Sequence, residues 1–334
     1  MIVFRAARLA AMLLLWALAA AGIGWGVLAL WFDGPRSRVL AGTAAAGFAI
    51  ISILLATLVR PPLRGLIAAV LPVVAVAIWW TSIPPSNDRD WAPDVALTAR
   101  AAFSGNRVTI ANVRNFEYRS ESDYDQRWET RTYDLDRIRG LDLFVSFWGP
   151  AHIAHTIVSW DFGNGQHLAI SIETRKKKGD SYSAIRGFFR QYELYYVVAD
   201  ERDVVGLRTN FRGEQVFLYH IRAEPPQARA LLVDYLEEIN RLADRPQWYN
   251  ALSQNCTTAI RGHARRTGVA GRFDWRVLAT GHLDRLLYER GQIDTDLPFA
   301  DLRARSDITG KARAADRASD FSARIRQGLP ATSH

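Results

Sequence analysis

Three apolar runs, residues 9–32, 39–59 and 66–83, constrain this chain more than any other feature. Each is close to the ~20 residues that a helix needs to cross a bilayer. Arg5 and Arg8 precede the first run, as they would a signal peptide. That run is too long for a signal core, however, and two more follow it. Trp25, Trp31, Trp79 and Trp80 sit near the ends of the runs, where amphipathic rings favour the membrane interface. Pro72 interrupts the third run, which a transmembrane helix tolerates. The pattern predicts three spans.

Basic residues give the orientation. Arg5 and Arg8 ahead of the first run, and Arg60 and Arg64 between the second and third, mark the cytoplasmic side. The loop 33–38 carries Arg36 and Arg38, partly offset by Asp33, so the bias is slight. Three spans from an inside N-terminus put everything after residue 83 outside the cytoplasm. The first 83 residues hold six arginines and one aspartate, +5 of the chain's +8, leaving 36 basic against 33 acidic residues for the remainder. That balance is too even for phosphate-backbone binding, so nucleic acid is excluded as a partner, and at most a mild preference for anionic lipid surfaces remains.

The sequence divides into the membrane segment 1–83, a linker 84–100 that opens with Pro84 and Pro85, a globular domain 101–290, and a polar, arginine-rich extension 291–334. Residues 108–113 and 141–147 read as strands, and the polar stretch 118–136 between them as a surface meander. The clearest hairpin runs from 155–162 through Gly163-Asn164-Gly165 into 167–173. A turn centred on Asn164 sets His155 opposite Glu173, with Ile157 opposite Ser171. A centre half a residue later sets Thr174 there instead. Residues 175–180 read as a solvated turn, 183–192 as helix, 194–198 and 216–221 as strands, and 204–210 as a further short strand. Residues 228–242 have the spacing of an amphipathic helix, and 301–326 reads as helix over the domain or as partly disordered.

Only one cysteine is present, Cys256, outside the cytoplasm by this topology. Oxidising compartments favour paired cysteines, so a lone thiol there must be well buried or reactive for a purpose. Asn255 is a good N-cap and puts Cys256 at the first helical position, where free N–H groups and the helix dipole favour a thiolate. The structural alternative is a buried cysteine packing as a small hydrophobe. A thiol nucleophile needs a base and a group to orient it. His263 is two turns along the same helix, about 10 Å away. His220 and His282 carry no local cue, and His334 is terminal. His152 and His155 have an H-x-x-H spacing, but an odd offset on a strand sends the rings to opposite faces, so no metal site is expected. His155 alone has a strand position with a carboxylate near it in register.

The run 154–160, the block Ile170-Ser171-Ile172-Glu173-Thr174-Arg175, Tyr192-Glu193-Leu194-Tyr195-Tyr196, and Tyr249-Asn250 leading to Asn255-Cys256-Thr257-Thr258 keep a characteristic order and spacing. Together they resemble the N-terminal periplasmic domain of the bacterial lipoprotein N-acyltransferase Lnb, over residues 106–260 with a weaker echo at 320–322. The resemblance implies an α+β fold of permuted papain-like, NlpC-type architecture, distantly similar to the lecithin:retinol acyltransferase group, with an antiparallel sheet and histidine preceding cysteine. It implies Cys256 as nucleophile and His155 as base, with Glu173 in the matching acidic block. Asn255, Tyr249, Arg175 and Tyr195 are the expected substrate-binding residues, and no cofactor is expected. In the named acyltransferase the membrane helices follow the domain, whereas here they precede it.

The expected activity is acyl transfer at the outer face of the bacterial inner membrane. The donor is a membrane phospholipid and the acceptor a lipoprotein N-terminus or another amine, through a Cys256 thioester. A cysteine hydrolase acting on peptidoglycan amides or lipid esters is the alternative. A non-catalytic envelope binding module with a structural cysteine is the third reading.

Overall fold

Apolar length does what it predicts in the first third. In the computed structural model, which describes residues 2–268, 271–277, 279–293 and 295–330, three helices come first. They are α1 (Ile2–Asp33), α2 (Arg38–Leu58) and α3 (Pro62–Ser82), and all three are long and apolar enough to cross a membrane. Most of their large side chains stay outward, Leu14, Ile50 and Leu71 among them, as lipid-facing residues would. Small residues (Ala41, Ala45, Gly65, Ala69) are buried instead, which lets the helix backbones approach closely.

The chain forms two compact units, residues 1–86 with 183–192, and residues 87–182 with 193–334. The segment 183–192 reads as helix in the sequence but is a short 3-10 turn, Arg186–Phe188. Its apolar residues serve the first unit, where Phe189 packs on Phe32 with ring centroids 5.1 Å apart. Asp33 caps that arrangement by accepting from Trp80 Nε1 (2.7 Å) and the Arg190 backbone N–H (3.1 Å).

The second unit is α+β. Its strands are β1 (Arg100–Ser104), β2 (Arg107–Arg114), β3 (Glu117–Tyr118), β4 (Tyr124–Asp125), β5 (Trp128–Asp134), β6 (Gly140–Phe147), β7 (His155–Asp161), β8 (His167–Arg175), β9 (Glu193–Ala199) and β10 (Gln215–Ile221). The main sheet runs β1-β2-β9-β8-β7-β6-β10 with β5 added to β2, and β3 and β4 pair separately. Every pairing is antiparallel except the single β2–β9 contact. The helices are α4 (Glu201–Gly206), α5 (Pro225–Asp244), α6 (Cys256–Arg266), α7 (Leu283–Glu289), α8 (Phe299–Ser306), α9 (Thr309–Ala314) and α10 (Phe321–Arg326).

Alternation along the strands gives the sheet two faces. One carries Phe144, Ile157, Ala169 and Tyr195, packed with Val204 and Val205 of α4, Ala312 of α9 and Ile325 of α10. The other carries Trp160 and Tyr196, whose rings meet Tyr235 of α5 edge-on at 5.2 and 5.9 Å. Tyr196 also donates to, or accepts from, His263 of α6 at 2.8 Å. Helices α5 and α6 therefore cover the second face.

Three sequence expectations change here. The meander at 118–136 contains strand β5 and buries Tyr118 and Tyr133, because its polar residues alternate with aromatic ones that face inward. Residues 204–210 form the end of α4 and a π-helical turn, Leu207–Phe211. Asp200 starts that helix by accepting from the Arg202 N–H. Residues 301–326, which read as helix over the domain or as partly disordered, are helical as α8 to α10 and also contribute to the core. Ile308, Phe321 and Ile325 are core residues, and Arg326 is tied to Asp142 (2.6 Å) and Glu201 (2.7 Å).

Candidate active site

The hairpin register is the one that a turn on Asn164 requires. Ile157 pairs with Ser171 and Asp161 with His167, so continuing the ladder brings His155 opposite Glu173. Gly163, Asn164 and Gly165 all have φ between 54° and 75°, the left-handed region that glycine and asparagine adopt most easily. This turn chemistry decides which side chains meet at the far end of the strands. There His155 Nε2 lies 3.7 Å from Glu173 Oε1, with Ser171 Oγ between them. Ser171 Oγ is 2.6 Å from His155 Nε2 and 2.8 Å from Glu173 Oε1.

Arg208, on the π-helical turn, completes the cluster. Its Nη2 meets Glu173 at 3.0 Å and its Nη1 meets Glu214 at 3.0 Å, while Ser146 donates to Glu214 at 2.5 Å. Burial alone would raise the Glu173 carboxyl, but the Arg208 charge, then His155, Arg212 and Arg114, hold it well below the usual carboxylate range. Glu173 is therefore ionised and only accepts. Burial, reinforced by Arg208 and opposed by Glu173, pushes His155 down to about 3, so its ring is neutral near pH 7.

The tautomer follows from hydrogen counting. Ser171 has one hydroxyl hydrogen and donates it to the Glu173 carboxylate. It must then accept from His155, so Nε2 carries the ring proton and Nδ1 carries the lone pair. Nδ1 has no partner among the described residues and is not among the buried unpaired atoms, so it reaches solvent. Sequence reading reached the His155–Glu173 pair but missed Ser171 as the link and Arg208 as the counter-charge. Ser171 was within reach, because it shares a strand face with Glu173. Arg208 was not, because its segment reads as a strand.

Cys256 sits where its sequence places it. Asn255 caps α6, accepting from the Thr258 N–H at 2.9 Å, and Thr258 Oγ1 accepts from the Asn255 N–H at 2.9 Å. This reciprocal box leaves the Cys256 and Thr257 N–H groups without partners among the described residues. The cysteine is 8% exposed. Tyr182 and Tyr249, hydrogen-bonded to each other, lie beside it with Tyr235, and burial is the first cause that pushes all three phenols up.

Among the described residues no hydrogen bond joins Cys256 to His155. His155 is on the sheet face it shares with Ile157 and Ser146, whereas α6 packs on the opposite face. Among the described residues no group hydrogen-bonds to the Cys256 sulfur. The two groups do share one end of the sheet. His155 begins β7, and Tyr249 follows Trp248, which pairs with Glu193 at the start of β9. The separation arises because the odd positions of β7 face α4, a consequence of register that the motif order does not reveal.

Two of the expected substrate-binding residues are structural. Arg175 is buried and holds the backbone of 95–96, donating to Val95 O (3.0 Å), Ala96 O (2.8 Å) and Asn87 Oδ1 (3.0 Å). Tyr195 belongs to the core and donates to Leu97 O at 2.6 Å. Asn255 and Tyr249 remain beside Cys256. Of the other histidines, His152 meets His282 at 3.1 Å, His220 meets Asp142 at 2.6 Å, and His263 meets Asp234 at 2.6 Å. His334 lies outside the described residues.

Asp142, His167 and Glu201 approach closely enough to hold an ion, but Arg326 already binds both carboxylates there. A guanidinium in that position supplies the positive charge that a cation would, so the donor set does not fit a metal.

Comparison with curated proteins and with solved structures found no match. A family model does match, over residues 124–281, and its description is the Lnb N-terminal periplasmic domain. Those residues include β5 to β10 and the helix that begins at Cys256, and over them the chain is similar to the Lnb N-terminal periplasmic domain family.

Proposed function

We propose that this chain is a multi-pass protein of the bacterial inner membrane whose periplasmic domain, of permuted papain-like type, transfers an acyl chain through Cys256. The observation that carries the reading is the start of α6, a sulfur at the first helical position beside two unpartnered N–H groups. Such groups favour a thiolate and then an oxyanion. The neutral His155, with Nδ1 open, serves as the proton acceptor.

The thiol proton passes to His155 Nδ1, and the sulfur attacks the ester carbonyl of a phospholipid. The carbonyl–oxygen bond breaks, the departing lysophospholipid alkoxide takes the proton from His155, and a thioester remains on Cys256. An amine then attacks the thioester while His155 accepts its proton, and the thiolate leaves. A nearby thiolate would also raise the basicity of His155, which burial and Arg208 otherwise depress. Joining the pair requires the first residue of β7 and the start of α6 to come together around the end of the sheet that they share, and catalytic hydrogen bonds commonly tighten only with substrate bound.

A binding module without chemistry is the second reading, favoured by the absence of a base at the sulfur. The assay is transfer of a labelled phospholipid acyl chain to a lipopeptide amine. Transfer by the native chain and its loss in Cys256→Ser supports the proposal. Equal transfer by both, or none by either, contradicts it.

A further inference from the structure

A cavity of the second unit lies beside α6, not at His155. It measures about 400 Å³. The paired Leu143 and Val158 form its floor, and Leu231 of α5, Ile260 of α6 and Leu283 and Leu286 of α7 form its walls. A methylene takes about the space of a water molecule in the liquid, roughly 30 Å³, so the cavity has room for one chain of about a dozen carbons.

The polar atoms of the cavity are as informative as its walls. Arg261 lines it with a buried Nε that has no hydrogen-bond partner among the described residues. A buried donor without an acceptor is costly, and such groups in native proteins call for a ligand or water. The rest of its guanidinium lies over the Phe273 ring at 5.4 Å and reaches Gly271 O only at 3.4 Å. Arg290 and Arg222 line the same cavity. Long apolar walls with guanidinium groups match a single acyl chain ending in an anionic oxygen.

We propose that this cavity binds one acyl chain of a single-chain anionic lipid, with Arg261 on its head group. Fatty acid and lysophospholipid share that chemistry. Thr257, next to Cys256, also lines the cavity. The inference thus deepens the acyl-transfer reading by giving the chain a seat, though binding itself does not require the chemistry.

The experiment uses the full-length Cys256→Ser protein in phosphatidylcholine nanodiscs, so that thioester formation plays no part. Photoreactive fatty acids of 10 to 18 carbons, and in a second arm lysophosphatidylglycerol as competitor, are cross-linked and the adducts mapped by mass spectrometry. Adducts are expected on α5, α6 and α7, with labelling that rises with chain length and levels off beyond about 12 to 14 carbons. Competition by the lysolipid identifies it as a ligand, and its absence restricts the site to free fatty acids.

Ile260→Trp, at a partly exposed position, should cut labelling at least tenfold without lowering the melting temperature. Arg261→Gln should weaken the carboxylate probe about tenfold but leave the matching alcohol unchanged. Adducts confined to residues 1–86, or labelling indifferent to Ile260→Trp, would overturn the site. Loss of acyl transfer with labelling intact would count against the chemistry alone.

Discussion

The His155 ring shows how much one side chain depends on groups that a sequence does not mark. Counting back from Asn164 is enough to put His155 and Glu173 side by side, because hairpin register follows from the turn. Counting does not say that Ser171 links them or that Arg208 keeps Glu173 charged, since Arg208 arrives from a segment 35 residues away in sequence. The same burial has a stability consequence. His155 is pushed down to about 3, and His263 to about 4, the latter by burial against the pull of Asp234. Unfolded, both titrate near 6.5. Below that pH the unfolded chain binds protons that the folded chain refuses, so stability is full above about 6.5 and falls on acidification. The slope is roughly 1.4 kcal/mol per pH unit for each histidine. Urea unfolding at pH 7.5, 6.5, 5.5 and 4.5 should show the decline, and His263→Gln should about halve it. A profile flat from 7.5 to 4.5 would contradict the assignment.

At the scale of elements, legibility follows how local the cause is. The three apolar helices, the hairpin, the α5 stripe and the Asn255 cap are written in neighbouring residues, and all were readable. The turn at Leu207–Phe211 was not, nor was the burial of helices α8 to α10, whose span reads as helix or as partly disordered. Their few apolar residues are spread over short helices, and their arginines look like surface charge until Asp142 and Glu201 are seen beneath Arg326. The bonds of Arg175 were not legible for the same reason, because its partners are two backbone carbonyls and Asn87 Oδ1 of a distant segment. The cap on α6 makes its own prediction. Asn255→Ala removes the acceptor for the Thr258 N–H and should cost about 1 kcal/mol of stability. It should also slow alkylation of Cys256, because the helix start is no longer fixed around the sulfur. A chemical denaturation curve and an iodoacetamide rate measure the two effects. An unchanged rate in a destabilised protein would separate the cap from the thiol.

For the whole molecule, three helices able to span a membrane and an α+β unit with a capped cysteine are a reasonable architecture for chemistry on lipids. The family match supports the periplasmic assignment of that unit. What the motif order could not convey is the sheet face on which each strand presents its side chains. It therefore implied a Cys256–His155 pair, whereas the structure puts the histidine and the cysteine's helix on opposite faces at one end of a sheet. The most direct test is intact mass spectrometry of the full-length protein after incubation with phospholipid vesicles at low pH. The account predicts a mass increase of one acyl chain, mapped to Cys256, removed by hydroxylamine, and lost in both Cys256→Ser and His155→Ala. An unmodified Cys256 under these conditions, or an adduct that forms equally well in His155→Ala, would contradict it.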